Sequence, residues 1–286
     1  MTILHILVLA VVQGAAELLP VSSSAHVIVA AKLMGLDPVN PEMTLLLVML
    51  HTGTMFAVIV YFWRDWKTDY FGSGDAFRRI IARVVIATAV TGAAGLALKY
   101  LIERFALGGT PHAEIELLFG NMPLIAAALA AVGVLIVYSG LRARPSAGTS
   151  GPTLRESSWI GLLQGLCLPF RGFSRSGATI SAGLLLGIAR SKAEEFSFAL
   201  AVVLTPPVIA REVHRLLKAQ VALPSRTADL ARLFYPGAGG MVLSFLSGLL
   251  ALRLLSRVLS GGKWHYFGVY CLCAAAVVFL LYRMGY

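Results

Sequence analysis

The sequence predicts an all-α integral membrane protein built as an inverted-topology repeat, each half a re-entrant helical hairpin followed by three transmembrane helices. Three observations lead there. Of the 286 residues, 58% are hydrophobic and only 13% charged, against about 45–50% and about 25% in ordinary soluble domains; bilayer is therefore the solvent to reason in. Several apolar runs approach the roughly 20 residues needed to cross a hydrocarbon core. The chain also resembles itself. Gln13-Gly14, Leu19-Pro20 and Ser22-Ser23-Ser24 recur as Gln164-Gly165, Leu168-Pro169 and Ser174-Arg175-Ser176, and from the serines onward the offset is a constant 152, pairing Ser24 with Ser176, Gly35 with Gly187 and Glu42 with Glu194.

The first half covers residues 1–141. Its apolar stretches at 3–12 and 27–34 flank a polar centre and are too short to span, since about ten residues cover only half a bilayer at about 1.5 Å each. They read as a re-entrant hairpin at 3–36 whose polar tip reaches the midplane, where irregular backbone is tolerated only inside protein or beside a wet cavity. Spans follow at 43–63, 84–101 and 123–141. Residues 142–157, rich in Pro, Ser and Gly, form a flexible cytoplasmic linker. The second half, 158–286, repeats the plan with a hairpin at 158–189 and spans at 195–210, 236–255 and 264–282. Pro206-Pro207 is expected to kink or break its span. Trp63, Trp66, Tyr266 and Tyr282 read as interfacial belt residues. The 3–12 stretch has the size of a signal-peptide core but no basic segment before it, so the N-terminus is read as retained.

Three spans per half is an odd number, so the second hairpin enters from the opposite side. The basic loops at 64–83, 142–155 and 253–263 then share one side, cytoplasmic by the positive-inside rule, with both termini periplasmic. The stretch 211–232 dissents, placing five basic residues outside. The loop 99–121, with Glu103, Glu114 and Glu116, reads as a solvated connection. The net charge of +10 resides mostly in short loops facing a membrane surface, and no nucleic-acid partner is expected. Cys167, Cys271 and Cys273 lie in apolar segments, the last two on opposite helix sides, so neither a joint metal site nor a disulfide framework follows.

Ionisable groups inside membrane segments cost about 2.5–3.5 kcal/mol each on insertion scales, which makes those at the hairpin tips functional candidates. The first tip carries Gln13, Glu17, Ser22, Ser23, Ser24 and His26. Gln13 and Glu17 stand i and i+4 on one helix face, where they could share a divalent cation through oxygen ligands or satisfy each other. The second tip, Gly172-Phe173-Ser174-Arg175-Ser176-Gly177-Ala178-Thr179, reads as an anion nest. Its glycines let N–H groups converge, a helix N-terminus follows, Arg175 offers a forked donor, and Ser174, Ser176 and Thr179 add hydroxyls. An arginine paired with a carboxylate is the alternative. Together the tips supply an acid, a histidine, hydroxyls and an arginine, a set suited to phosphoryl transfer. His51, mid-helix near Gly53, reads as a hydrogen-bonded helix-interface histidine, with lining of the cavity as the alternative.

These two motifs, with His51-Thr52-Gly53-Thr54, Tyr61-Phe62-Trp63-Arg64 and Glu195-Phe196-Ser197-Phe198 in the same order, resemble the bacitracin-resistance type undecaprenyl-pyrophosphate phosphatases over essentially the whole chain. The resemblance implies a Mg²⁺- or Ca²⁺-dependent enzyme of the bacterial inner membrane, acting at the periplasmic face on a polyprenyl pyrophosphate lipid. By position Glu17 is similar to the essential acid, which with Gln13 would hold the metal, and His26 to the catalytic histidine. Ser23 is preferred as nucleophile over His26 or a water. Ser22, Ser24, Ser174, Arg175, Ser176, Gly177 and Thr179 match phosphate-holding positions. Gln13 departs from the commoner acid, and Pro169-Phe170-Arg171-Gly172 stands where the family usually has Pro-Gly, making Arg171 a second phosphate clamp or a snorkelling side chain. A transporter or flippase of an anionic lipid is the competing reading, because paired broken helices are also transporter architecture; an inactive phosphate-binding scaffold is a third. Monomer and homodimer both remain open.

Overall fold

The structure, a computed structural model, describes residues 1–37, 41–106, 120–143, 151–222 and 227–285. Glu114, Glu116, linker residues 144–150 and the side chain of Glu42 lie outside the described residues. Among the described residues ten α-helices follow in order: α1 (Ile3–Leu18), α2 (Ser23–Leu33), α3 (Pro41–Asp69), α4 (Gly74–Leu101), α5 (Met122–Arg142), α6 (Leu154–Cys167), α7 (Arg175–Leu185), α8 (Arg190–Ala222), α9 (Thr227–Ser260) and α10 (His265–Arg283). Six of them, α3, α4, α5, α8, α9 and α10, contain stretches long and apolar enough to cross a membrane. The chain is a multi-pass membrane protein.

The order short, short, long, long, long thus occurs twice, and local chemistry recurs with it. Thr2 and His5 close a capping box on α1, and Thr153 and Glu156, each 151 positions later, close one on α6. Each box satisfies two of the N–H groups that a helix start leaves unpaired. Close packing recurs as well. A Cβ on Gly14 would stand 2.6 Å from the Ser244 carbonyl of α9, and one on Gly165 would stand 2.7 Å from the Thr91 carbonyl of α4. Only glycine lets these backbones approach, the usual device for helix association where lipid removes the hydrophobic drive. Accordingly α1 packs on α9 and α6 on α4, while α5 packs on α10.

Beneath the two short-helix tips lies the largest apolar cluster, with Leu18 and Val21 from the first, Ile180 and Leu184 from α7, and Phe62, Trp66, Ile136, Phe198 and Trp264 around them. A buried polar knot sits beside it: Trp264 Nε1 donates to Ser139 Oγ and Ser181 Oγ, both at 3.1 Å. Large apolar side chains such as Leu96, Val134, Leu250 and Val277 stay exposed on the outer faces, as lipid contact allows.

Several expectations are corrected. The helices outrun their apolar cores: α3 has 29 residues, α4 28 and α9 34. Most of the expected loops 64–83 and 253–263 is therefore helix, as are the described residues of the stretch 211–232. Helix is the cheapest way for backbone to reach water with its hydrogen bonds intact. Helix α8 continues through Pro206 and Pro207 without a break. Trp66 is 7% exposed, stacked on Phe62 and Tyr70, and so belongs to the core; Trp63, Tyr266 and Tyr282 are exposed. Cys271 is buried and Cys273 exposed, and with Cys167 all three are free thiols.

Candidate active site

Helix α1 ends one residue after Glu17, and α7 begins at Arg175; the two side chains meet where the tips converge. Arg175 Nη2 donates to Glu17 Oε1 at 3.2 Å. Ser23 Oγ, in the first turn of α2, donates to Glu17 Oε2 at 2.6 Å, and Gln13 Nε2, one turn back on α1, donates to the same oxygen at 3.2 Å. Glu17 is only 17% exposed at its side chain and Arg175 22%, so each charge needs the other: a lone carboxylate at that depth would neutralise rather than stay charged.

A cavity of about 120 Å³ opens beside this pair, lined by Ala16, Glu17 and Ser22–Ser24 on one side and Phe173–Ser176 on the other. The tips are stitched together. Gly172 N–H donates to Ser24 Oγ at 3.3 Å, and Ser176 Oγ lies 3.5 Å from the Leu19 carbonyl. Gly172 adopts φ +102, and a Cβ there would strike the Ile125 carbonyl at 2.5 Å, so both conformation and space demand glycine. Ser174 caps α7 by accepting from Gly177 N–H at 3.2 Å.

The structure thus gathers Glu17, Ser22, Ser23, Ser24, Ser174, Arg175 and Ser176 around one cavity, with Gln13 buried behind Glu17. Four expected residues stand elsewhere. The Gly177 N–H is taken by the cap, and the bare Cα serves packing, since a Cβ would meet Ile136 Cδ1 at 2.9 Å. Thr179 is one turn into α7, 1% exposed, with its hydroxyl on the Arg175 carbonyl at 2.9 Å and against Ser197 Oγ at 2.6 Å. A threonine inside a helix bonds back to the preceding turn, which pulls it from the tip. Arg171 is half-buried and not among the cavity-lining residues. His26 does not line the cavity either: Nδ1 is 2.8 Å from the Ser22 carbonyl and Nε2 is 2.7 Å from the Tyr270 hydroxyl.

His51 is hydrogen-bonded within its helix and also stands beside the acid. Its Nδ1 lies 2.7 Å from the Leu47 carbonyl of α3, and its Nε2 stands 3.7 Å from Glu17 Oε2. The available signal was an ionisable side chain within an apolar span. Tyr270 gave no such signal, being one aromatic among several in α10.

The donors suit a hard divalent cation only in part. Among the described residues no group of three or more His, Cys, Asp or Glu side chains could cage a metal. Glu17 and Ser23 offer one carboxylate and one hydroxyl oxygen at the cavity, with room for phosphate oxygens and water to complete a hard cation's shell, whereas Gln13 turns its amide nitrogen to Glu17 and its amide would have to reverse to share a cation.

A multi-pass membrane protein whose two short-helix tips hold a serine on a carboxylate, facing an arginine across a small polar cavity, is of the class built to bind and transfer a phosphoryl group. The family model described as Bacitracin resistance protein BacA matches residues 6–277, and the chain belongs to that family. Undecaprenyl-diphosphatase 2 of Acinetobacter baylyi is 58% identical, with 98% of each chain covered. Undecaprenyl-diphosphatase of Desulfosudis oleivorans is 34% identical over 94% of this chain and 95% of its own, and that of Acidiphilium cryptum is 34% identical over the whole of both.

Proposed function

We propose that this chain hydrolyses undecaprenyl pyrophosphate to undecaprenyl phosphate and inorganic phosphate, recycling the lipid carrier of peptidoglycan synthesis and conferring bacitracin resistance. The observation that carries the reading is Ser23 Oγ at 2.6 Å from Glu17 Oε2, beside Arg175, in a chain 58% identical to an undecaprenyl-diphosphatase. Glu17 accepts the Ser23 proton as Oγ bonds to the terminal phosphorus, and the bond from that phosphorus to the bridging oxygen breaks, releasing undecaprenyl phosphate. Water then displaces Oγ from the phosphorus, Glu17 returns the proton to it, and inorganic phosphate leaves. Arg175 turns its fork toward the equatorial oxygens, where charge accumulates. A divalent cation, Mg²⁺ or Ca²⁺, would be held by Glu17 and, with its amide reversed, by Gln13, and would neutralise diphosphate charge.

The two short-helix pairs are re-entrant hairpins of an inverted repeat, the tips meeting within the inner membrane in a cavity that opens to the periplasm. What supports this is the lengths of α1 and α2, 16 and 11 residues, about 24 and 16 Å at 1.5 Å per residue, and the doubled order of elements. The test is phosphate release from undecaprenyl pyrophosphate by detergent-purified protein, with and without Mg²⁺ or Ca²⁺, beside Glu17→Ala and Arg175→Ala. Metal-dependent release lost in both folded variants is expected; no release by folded wild type would overturn the reading.

A further inference from the structure

The four-residue tip between α1 and α2 holds irregular backbone within the membrane, where every carbonyl must find a donor. Ser22 is its strained point, with φ 68 and ψ 94, a region that residues with a Cβ seldom enter. Such a conformation persists only where its surroundings over-determine it. The Ser22 hydroxyl makes no capping bond to α2. Its carbonyl is what is held, by His26 N–H at 3.3 Å and His26 Nδ1 at 2.8 Å.

The far side of the same ring meets α10. Tyr270 Oη is 2.7 Å from His26 Nε2, and the rings stack with centroids 5.7 Å apart and planes 13° from parallel. A carbonyl only accepts, so Nδ1 carries the imidazole proton, Nε2 presents its lone pair, and the Tyr270 hydroxyl donates to it. One residue further along α10, Cys271 Sγ reaches the Pro20 carbonyl at 3.3 Å. Helix α10 therefore secures two carbonyls of the tip, one directly and one through His26.

We infer that Tyr270 is a positioning residue: acting through His26, it holds Ser22 in its positive-φ conformation and so sets Ser23 Oγ against Glu17. The inference rests on the reading of Ser23 as nucleophile. His26 is then the brace between α10 and the tip, with a partner at each ring nitrogen.

Tyr270→Phe keeps the ring and the stacking and removes one hydroxyl. Its kcat for phosphate release from undecaprenyl pyrophosphate is expected to fall about tenfold or more, the scale on which small misplacements of a reacting group act. KM should stay within about twofold, because Ser174, Arg175 and Ser176 line the cavity from the other tip and are not touched by Tyr270. In a His26→Ala background the same substitution should add nothing, since its route is gone. Full kcat in Tyr270→Phe, or an equal further loss in that background, overturns the inference. The ¹⁵N ring signals of His26 give a readout independent of turnover: an Nδ1–H tautomer in wild type that becomes mixed in Tyr270→Phe is expected, and an Nε2–H ring in wild type overturns the brace. Wild type that releases no phosphate fails the proposed reaction, and the brace is then judged by the ring signals alone.

Discussion

The two short-helix pairs share a frame and differ in chemistry. Both start on a capping box, both carry Gln-Gly at the same place, and both press that glycine against the backbone of a long helix from the other half. From there they diverge. Four residues after Gln13 stands Glu17, facing the cavity; four after Gln164 stands Leu168, an apolar side chain 52% exposed. Gln13 serves Glu17, whereas Gln164, fully buried, donates to Thr91 Oγ1 at 3.0 Å as a clamp between α6 and α4. Ser23 and Arg175 occupy corresponding positions 152 apart, so one frame delivers a hydroxyl held by an anion and the other delivers the cation. His26 corresponds to Ala178, buried without any polar function. Shared packing with split chemistry is the lesson: the scaffold needs the two short-helix pairs alike, and the reaction needs them unlike.

Substitutions should sort along that line. Glu17→Ala or Arg175→Ala removes one side of the charge pair and is expected to lower kcat by about 10²- to 10³-fold, the scale of losing one preorganised stabilising group; phosphate release kinetics check it, and a mild effect of either would break the asymmetry. Gly14→Val and Gly165→Val test the shared scaffold. Each should destabilise the fold by about 1–3 kcal/mol through overpacking, read as similar drops in melting temperature in detergent, and unequal drops would break the equivalence. His51→Ala, which strips the imidazole from beside Glu17, is expected to reduce kcat about tenfold with KM little changed, measured by steady-state release. Thr179→Val should cost about 1 kcal/mol of stability by leaving Ser197 Oγ without its partner, with KM unchanged; a raised KM would return Thr179 to the phosphate site. Arg171→Ala is the smallest, expected to alter KM by less than about twofold.

Much of this was readable in advance because it is local or compositional. The membrane setting follows from 58% hydrophobic residues, and the family follows from two long motifs. The convergence of Glu17 and Arg175 was within reach because both sit at polar breaks in apolar runs, where burial of charge requires a partner. Misreadings came from side chains whose direction depends on a distant helix. Thr179 shares its motif with Arg175 yet turns to Ser197 because, one turn into α7, its hydroxyl faces α8. Trp66, placed by composition at the interface, is drawn into the core because α3 extends beyond its apolar stretch.

By itself the sequence determined that this is a membrane protein of the bacitracin-resistance family with an acid, a serine and an arginine in its two signature motifs, since hydrophobic length, i to i+4 spacing and motif residues are properties of neighbours along the chain. Only the tertiary structure decided that His51 stands beside Glu17 and that His26 turns from the cavity to Tyr270. Those contacts join residues 34 and 244 positions apart, and which nitrogen of a histidine meets which partner is set by how helices pack across such separations, a quantity no local pattern encodes.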